Sequence, residues 1–134
     1  MLLIDSTIYL NLLKSLRDPV EVLKYWIERD EILTCGIIRC QVLRSIINKK
    51  VYRRMETLFN VVVTAPITEK TWKVAAELAW KLDRQGIILP LDVLIIAICA
   101  GRFKATVITN DPYFEKVPDL RTSFDLPNSP SQPQ

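Results

Sequence analysis

Three aspartates stand where the chain passes from one kind of segment to another. Asp5 follows the apolar run Met1 to Ile4, Asp92 opens a long apolar stretch after Leu89-Pro90-Leu91, and Asp111 follows Ala105 to Thr109 and Asn110. Each has an ordinary use, since an aspartate at the head of a helix or turn accepts hydrogen bonds from free backbone N–H groups. Gathered at one edge they would do something else. Clustered carboxylates repel, and a hard, oxygen-seeking cation such as Mg²⁺ or Mn²⁺ is the usual reason to bring them together. Such an ion activates water and polarises a phosphodiester, which permits in-line attack without a histidine base. The chain has no histidine, so a Ser-His-Asp triad, a two-histidine ribonuclease mechanism and any histidine zinc site are excluded. Its three glycines, Gly36, Gly86 and Gly101, are too far apart for a P-loop or a dinucleotide fingerprint.

The apolar periodicity indicates what carries these aspartates. Met1 to Ile4 reads as a strand buried on both faces, followed by a helix with Ile8, Leu12, Leu13 and Leu16 as its apolar side. Asp18-Pro19 caps a second helix, Val20 to Arg29, and Ile32 to Cys35 reads as a second strand. A third helix from Ile37 carries Ile38, Val42 and Ile46 on one side. A further helix runs from Val51 to Phe59 after the joint Asn48-Lys49-Lys50. The β-branched run Val61-Val62-Val63 predicts strand three. Thr68 caps a long helix whose expected core stripe is Trp72, Ala75, Ala76, Ala79 and Leu82, with Gly86 as its stop. Leu91 to Phe103 has no polar face at either period and predicts a helix buried on most sides. Ala105 to Thr109 is expected as strand four and Thr122 to Phe124 as a short edge strand.

Strands alternating with helical stretches imply βαβ units. The expected fold class is α/β, a mostly parallel sheet of four to five strands between helices in three layers. Ligands of such sheets gather at the carboxyl ends of the strands, where Asp5 and Asp111 fall and toward which Asp92 leads. At 134 residues and 49% hydrophobic content, one domain spanning 1–125 is expected, with 126–134 a disordered, proline-broken tail. The net charge of +3 permits a nucleic-acid partner without requiring one. Cys35, Cys40 and Cys99 form no CxxC pair and are expected to be buried reduced thiols. No apolar run approaches the roughly 20 residues that span a bilayer, so a cytoplasmic protein with no membrane segment is expected.

The opening strand ending in Asp5-Ser6-Thr7, the Pro90-Leu91-Asp92 helix start and the run Thr109-Asn110-Asp111 with Phe114 resemble the PIN-domain ribonucleases. Within that family they are similar to the small VapC-like toxins of toxin–antitoxin pairs. The likeness covers roughly Met1 to Leu120. It implies a Rossmann-like sheet, RNA cleavage dependent on Mg²⁺ or Mn²⁺, homodimers and inhibition by a cognate antitoxin protein. Asp5, Asp92 and Asp111 match the family's acidic residues and metal ligands. Thr109 matches a polar neighbour among the catalytic residues, and Ser6 and Asn110 match polar positions that orient carboxylates, water or substrate.

One position departs from the pattern. The family carries a glutamate in the helix after strand two, and Gln41 stands there, ahead of Leu43-Arg44. An amide keeps an oxygen for coordination but lacks the charge and basicity of a carboxylate, so Gln41 is either a residual ligand or a solvent-facing residue. Arg39, Arg44, Lys49, Lys50, Arg53 and Arg54 form a basic run. Either this is a solvated face, or Arg44, three residues after Gln41 on the same helix side, approaches a substrate phosphate. Tyr25 and Trp26 could serve a partner surface or the core. The functions to be separated are a metal-dependent endoribonuclease of toxin type and a catalytically weakened relative that binds RNA or antitoxin. A phosphatase of the haloacid-dehalogenase kind ranks last, because Thr7 occupies the place of its second aspartate.

Overall fold

A computed structural model describes residues 1–128 and contains five parallel strands in the order β3-β2-β1-β4-β5. In chain order the elements are β1 (Leu2–Ile4), α1 (Ser6–Lys14), α2 (Pro19–Ile27), β2 (Ile32–Cys35), α3 (Gly36–Leu43) and α4 (Lys49–Val61). They are followed by β3 (Val63–Ala65), α5 (Glu69–Arg84), α6 (Leu91–Arg102), β4 (Thr106–Ile108), a 3₁₀ turn at Pro112–Lys116 and β5 (Thr122–Ser123). The central strand is β1, with Leu3 paired to Leu33 on one side and to Val107 on the other. Its burial on both faces follows from crossovers running both ways. Right-handed connections place α1 to α4 on one face and α5 and α6 on the other. The packing agrees, with α1 against α3, α2 against α4 and α5 against α6. This is the expected three-layer α/β fold.

The buried helix is α6, in which every residue from Val93 to Ala97, with Cys99 and Ala100, is buried. On the opposite layer Tyr9 is fully buried and meets Phe59 edge-on, with ring centroids 5.3 Å apart. Its hydroxyl has no hydrogen-bond partner among the described residues, and burial pushes its ionisation far up. A buried hydroxyl without a partner destabilises, so Tyr9→Phe is expected to raise the unfolding free energy by about 1 kcal/mol. Urea denaturation measures this, and a loss of stability would mean that the hydroxyl is satisfied.

Several local expectations are corrected. The third strand lies two residues later than Val61 to Val63, because α4 continues through Val61 and Val62 N–H still donates to the Leu58 carbonyl at 3.1 Å. Helix α1 ends at Lys14 rather than reaching Leu16. Leu16 takes a left-handed backbone (φ 57°) and Arg17 N–H closes onto the Leu12 carbonyl at 2.8 Å, leaving the Leu16 side chain in water. Gly86 (φ 79°) ends α5 by the same closure, with Ile87 N–H on the Leu82 carbonyl. In α5 the buried residues are Thr71, Ala75 and Leu82, whereas Ala76 is exposed and Trp72 and Trp80 are 49% and 61% exposed. Trp26 is buried in the core. All three cysteines are free, but Cys40 is exposed on α3. Leu126, assigned to the tail, packs partly buried against the core, and 129–134 of that tail lie outside the described residues. No helix among the described residues is long and apolar enough to cross a membrane.

Candidate functional site

From β1 the chain moves outward to β2 and β3, then returns to β4 on the other side of β1. The carboxyl ends of β1 and β4 therefore flank the point where the connections diverge, the place at which parallel sheets leave a crevice. Asp5 is the first residue beyond β1, and its backbone N–H donates to the Ile108 carbonyl at 2.9 Å. It occupies the N-cap position of α1 but caps nothing with its side chain. Instead the buried carboxylate accepts two hydroxyl hydrogen bonds on Oδ2, from Thr109 Oγ1 at 2.7 Å and from Thr7 Oγ1 at 2.9 Å.

Each hydroxyl is held in turn. Asp111 N–H donates to Thr109 Oγ1 at 2.9 Å, and Asn110 N–H donates to Thr7 Oγ1 at 3.1 Å. One network thus joins Asp5, Thr7, Thr109 and the backbone of Asn110 and Asp111. Asp111 also keeps its ordinary use, because Oδ1 accepts from Tyr113 N–H at 2.9 Å and caps the 3₁₀ turn with Pro112 behind it. Asp92 does not cap α6, which has Pro90 as its N-cap and no side-chain cap. Its Oδ2 accepts from Gln41 Nε2 at 3.0 Å, a contact between α3 and α6. Gln41 is thus turned inward rather than to solvent, and its Oε1 is buried without a partner.

Thr7 was missed as a site residue. Of the pair after Asp5, sequence reasoning favoured Ser6, yet the Ser6 side chain makes no hydrogen bond among the described residues, whereas Thr7 bonds the carboxylate directly. The available signal was positional: a hydroxyl two residues beyond an aspartate that ends a strand can turn back onto it. The Asn110 side chain is exposed and enters through its backbone alone. Arg44, the C-cap of α3, is exposed and forms no ion pair among the described residues. Arg54, by contrast, is tied to Asp18, donating from Nε at 2.7 Å, and this bond holds the Asp18 carboxyl below its ordinary range.

Among the described residues no three acidic or thiol side chains stand close enough to hold a cation by themselves. The donor chemistry nonetheless suits a hard cation. No protein hydrogen bond among the described residues reaches Asp5 Oδ1, Asp92 Oδ1, Asp111 Oδ2 or Gln41 Oε1. All four are hard oxygen donors of the kind Mg²⁺ or Mn²⁺ takes, they belong to two contacts, Asp5 with the Asp111 backbone through Thr109 and Asp92 with Gln41, and soft-metal chemistry has no histidine to draw on. Beside this group Cys35 stands at the N-terminus of α3. Pairing with Cys99 and the N–H groups of Ile38 and Ile37 lower its thiol below the ordinary range against the opposing effects of burial and Asp5, while the same pairing pushes Cys99 up. A groove of about 640 Å³ opens next to the network, with Thr7 and Asn110 at one end and Leu13, Ile47 and Val51 among its apolar walls.

Comparison with known proteins gives the family. The sequence pattern described as "PIN domain" matches residues 2–120. No curated protein matches the chain. Among solved structures it is similar to VapBC2 from Rickettsia felis bound to a promoter DNA fragment, with 18% identity, 91% of this chain and 96% of that chain covered and a TM-score of 0.72. VapBC-1 from nontypeable Haemophilus influenzae matches with 19% identity, the same coverages and a TM-score of 0.69. FitAcB from Neisseria gonorrhoeae matches with 18% identity, again 91% and 96% coverage, and a TM-score of 0.60. At these identities the structures speak for the fold, and the pattern match, which runs from β1 past Asp111 to Leu120, speaks for the lineage: this chain belongs to the PIN domain family.

Proposed function

We propose that the protein is a metal-dependent endoribonuclease and the toxin of a toxin–antitoxin pair. The observation that carries this reading is the network at the β1/β4 edge, in which Thr7 and Thr109 both donate to one oxygen of the buried Asp5 and leave the other unengaged. A carboxylate held this way has its direction set before any ligand arrives. Asp5, Asp92 and Asp111 would hold Mg²⁺ or Mn²⁺, with Gln41 Oε1 as a neutral fourth oxygen. When bound, such an ion supplies a Lewis acid for the phosphodiester and activates water, which suits a family whose members are generally nucleases using divalent metals. Thr109 keeps Asp5 and the Asp111 backbone in register, and Arg44 is free to meet a phosphate of the RNA. Ser6 and Asn110, which adjoin Asp5, Thr7 and Thr109 in the chain, would contact the substrate on this reading.

An antitoxin is the proposed protein partner, as in the VapBC and FitAcB assemblies named above. The apolar groove beside Thr7 and Asn110 is a surface such a partner would cover. The exposed Trp72, Ala76 and Trp80 on one side of α5 support a homodimer, and action in the cytoplasm belongs to the same reading. A second reading, a PIN-domain protein that binds RNA or antitoxin without cleaving, is favoured by Gln41, which supplies a donor where the family has a carboxylate. Incubation of the protein with a mixed RNA pool in Mn²⁺, Mg²⁺ or EDTA separates the two. The nuclease reading expects fragments with either ion and none in EDTA. Retention of intact RNA in all three supports the second reading, and cleavage in excess EDTA removes the metal from the mechanism.

A further inference from the structure

The contact between Gln41 and Asp92 carries information that the acidic residues alone do not. Asp92 Oδ2 lies 3.0 Å from the side-chain nitrogen of a residue 51 positions earlier in the chain. A carboxylate oxygen tolerates a neighbour at that distance only if the neighbour brings a proton. Gln41 does so through Nε2, and the reverse orientation of the amide would set Oε1 against the negative oxygen. The amide is therefore oriented by Asp92, and the result is a buried Oε1 with no partner. Buried polar atoms are rarely left this way. The chain accepts one unmet acceptor in order to place a donor on Asp92.

The geometry points to Gln41 as a positioning residue: its neutral amide fixes the Asp92 carboxylate by an N–H hydrogen bond, so that the acidic edge is assembled without a cation to hold it. This rests on the reading of Asp92 as a metal ligand only for its purpose and not for its test. A carboxylate at position 41 would face Asp92 across the same gap and would need an ion or a shared proton between them. With Gln41 the gap is closed by the protein itself, and the unengaged Asp92 Oδ1 keeps its direction. The expected consequence is a sturdier metal-free protein that attracts a cation less strongly.

The test is a thermal melting cycle in EDTA on the full chain: the natural protein, Gln41→Glu, Asp92→Asn, and the two changes together. Gln41→Glu alone is expected to lower the midpoint by about 3–6 °C. Introduced together with Asp92→Asn, the same change should leave the midpoint of Asp92→Asn within about 1 °C, because the asparagine amide donates to the new carboxylate and remakes the bond with its polarity reversed. A residue that merely fills space would not show this rescue. Equal falls in both backgrounds, or no fall in either, overturn the inference. If Gln41→Glu does not fold by itself, recovery of the folded protein in the double variant gives the supporting result, and its failure to fold gives the opposing one. Addition of Mn²⁺ supplies a separate readout, since an ion that binds only the folded state raises the midpoint with its affinity. Gln41→Glu should then show the larger upward shift. Absence of a Mn²⁺ shift in every protein would reject the metal-dependent function while leaving the EDTA cycle to decide the role of Gln41.

Discussion

Asp5→Asn is expected to reduce Mn²⁺-supported RNA cleavage by at least about 100-fold while leaving the protein folded. The asparagine carbonyl can still accept from Thr7 and Thr109, which now bond Asp5 Oδ2 at 2.9 and 2.7 Å, so the shape of the edge survives. The other position becomes an amide nitrogen, which repels a cation where Asp5 Oδ1 would attract it. Charge is lost at the most buried of the three aspartates, the one where water does least to replace it. Single-turnover cleavage and urea denataturation of the same preparation check both halves. Activity within threefold of the natural protein would move the chemistry away from this edge, whatever the denaturation curve says.

The largest single loss of stability in the site is expected for Thr109→Val, at about 2–4 kcal/mol. The change is close to isosteric, so it removes hydrogen bonding and little else. Thr109 Oγ1 donates to a buried carboxylate and accepts from Asp111 N–H at 2.9 Å. Valine would leave Asp5 with Thr7 as its sole hydroxyl donor and Asp111 N–H without its acceptor. Bonds to charged groups contribute about 1.5–3 kcal/mol, and an orphaned partner adds its own desolvation cost. Thr109→Ser keeps the hydroxyl and should recover most of the loss, which separates the hydrogen bonds from the packing of the methyl group. A Thr109→Val variant less than about 1 kcal/mol below the natural protein in urea would show that the network relaxes around the gap.

Much of the architecture was legible because each signal was local. The apolar run Met1 to Ile4 could be read as a strand buried on both faces of a parallel sheet from its lack of alternation, and α6 could be placed in the core from its lack of a polar face. Thr68 and Asp18 identified helix starts by cap chemistry and both make the capping bonds, whereas Asn48, read only as part of a joint, also caps its helix and starts it two residues before Val51. Failures came where two elements share a residue. Val61 to Val63 has strand-like residues, but Val61 is exposed and the helical bond to Leu58 outcompetes the ladder for Val62. In α5 the apolar residues cover more of the surface than α6 can bury, so periodicity could not say that Trp72 would remain outside. At the site, the positions of Asp5 and Asp111 at strand ends were readable, whereas the orientation of Gln41 onto Asp92 and of Thr7 onto Asp5 depends on side-chain torsions. Sequence spacing does not specify these.

Because β1 is the middle strand, the order of synthesis and the order of assembly run against each other. Its hydrogen-bonded neighbour β4 begins at Thr106, and the bond from Thr109 to Asp5 spans 104 residues. At the roughly 5–20 residues per second of protein synthesis, that separation amounts to about 5–20 s during which Asp5 exists without the group that orients it. Pairings this distant in sequence also form slowly once the chain is free. Residues preceding β4 can collapse into β1 to β3 with α1 to α4, but that half-sheet has no crevice and no Thr109. The edge that joins Asp5, Thr7, Thr109 and Asp111 is therefore complete only once the chain has been made past residue 111, and on the nuclease reading proposed above a nascent chain would lack that site until then.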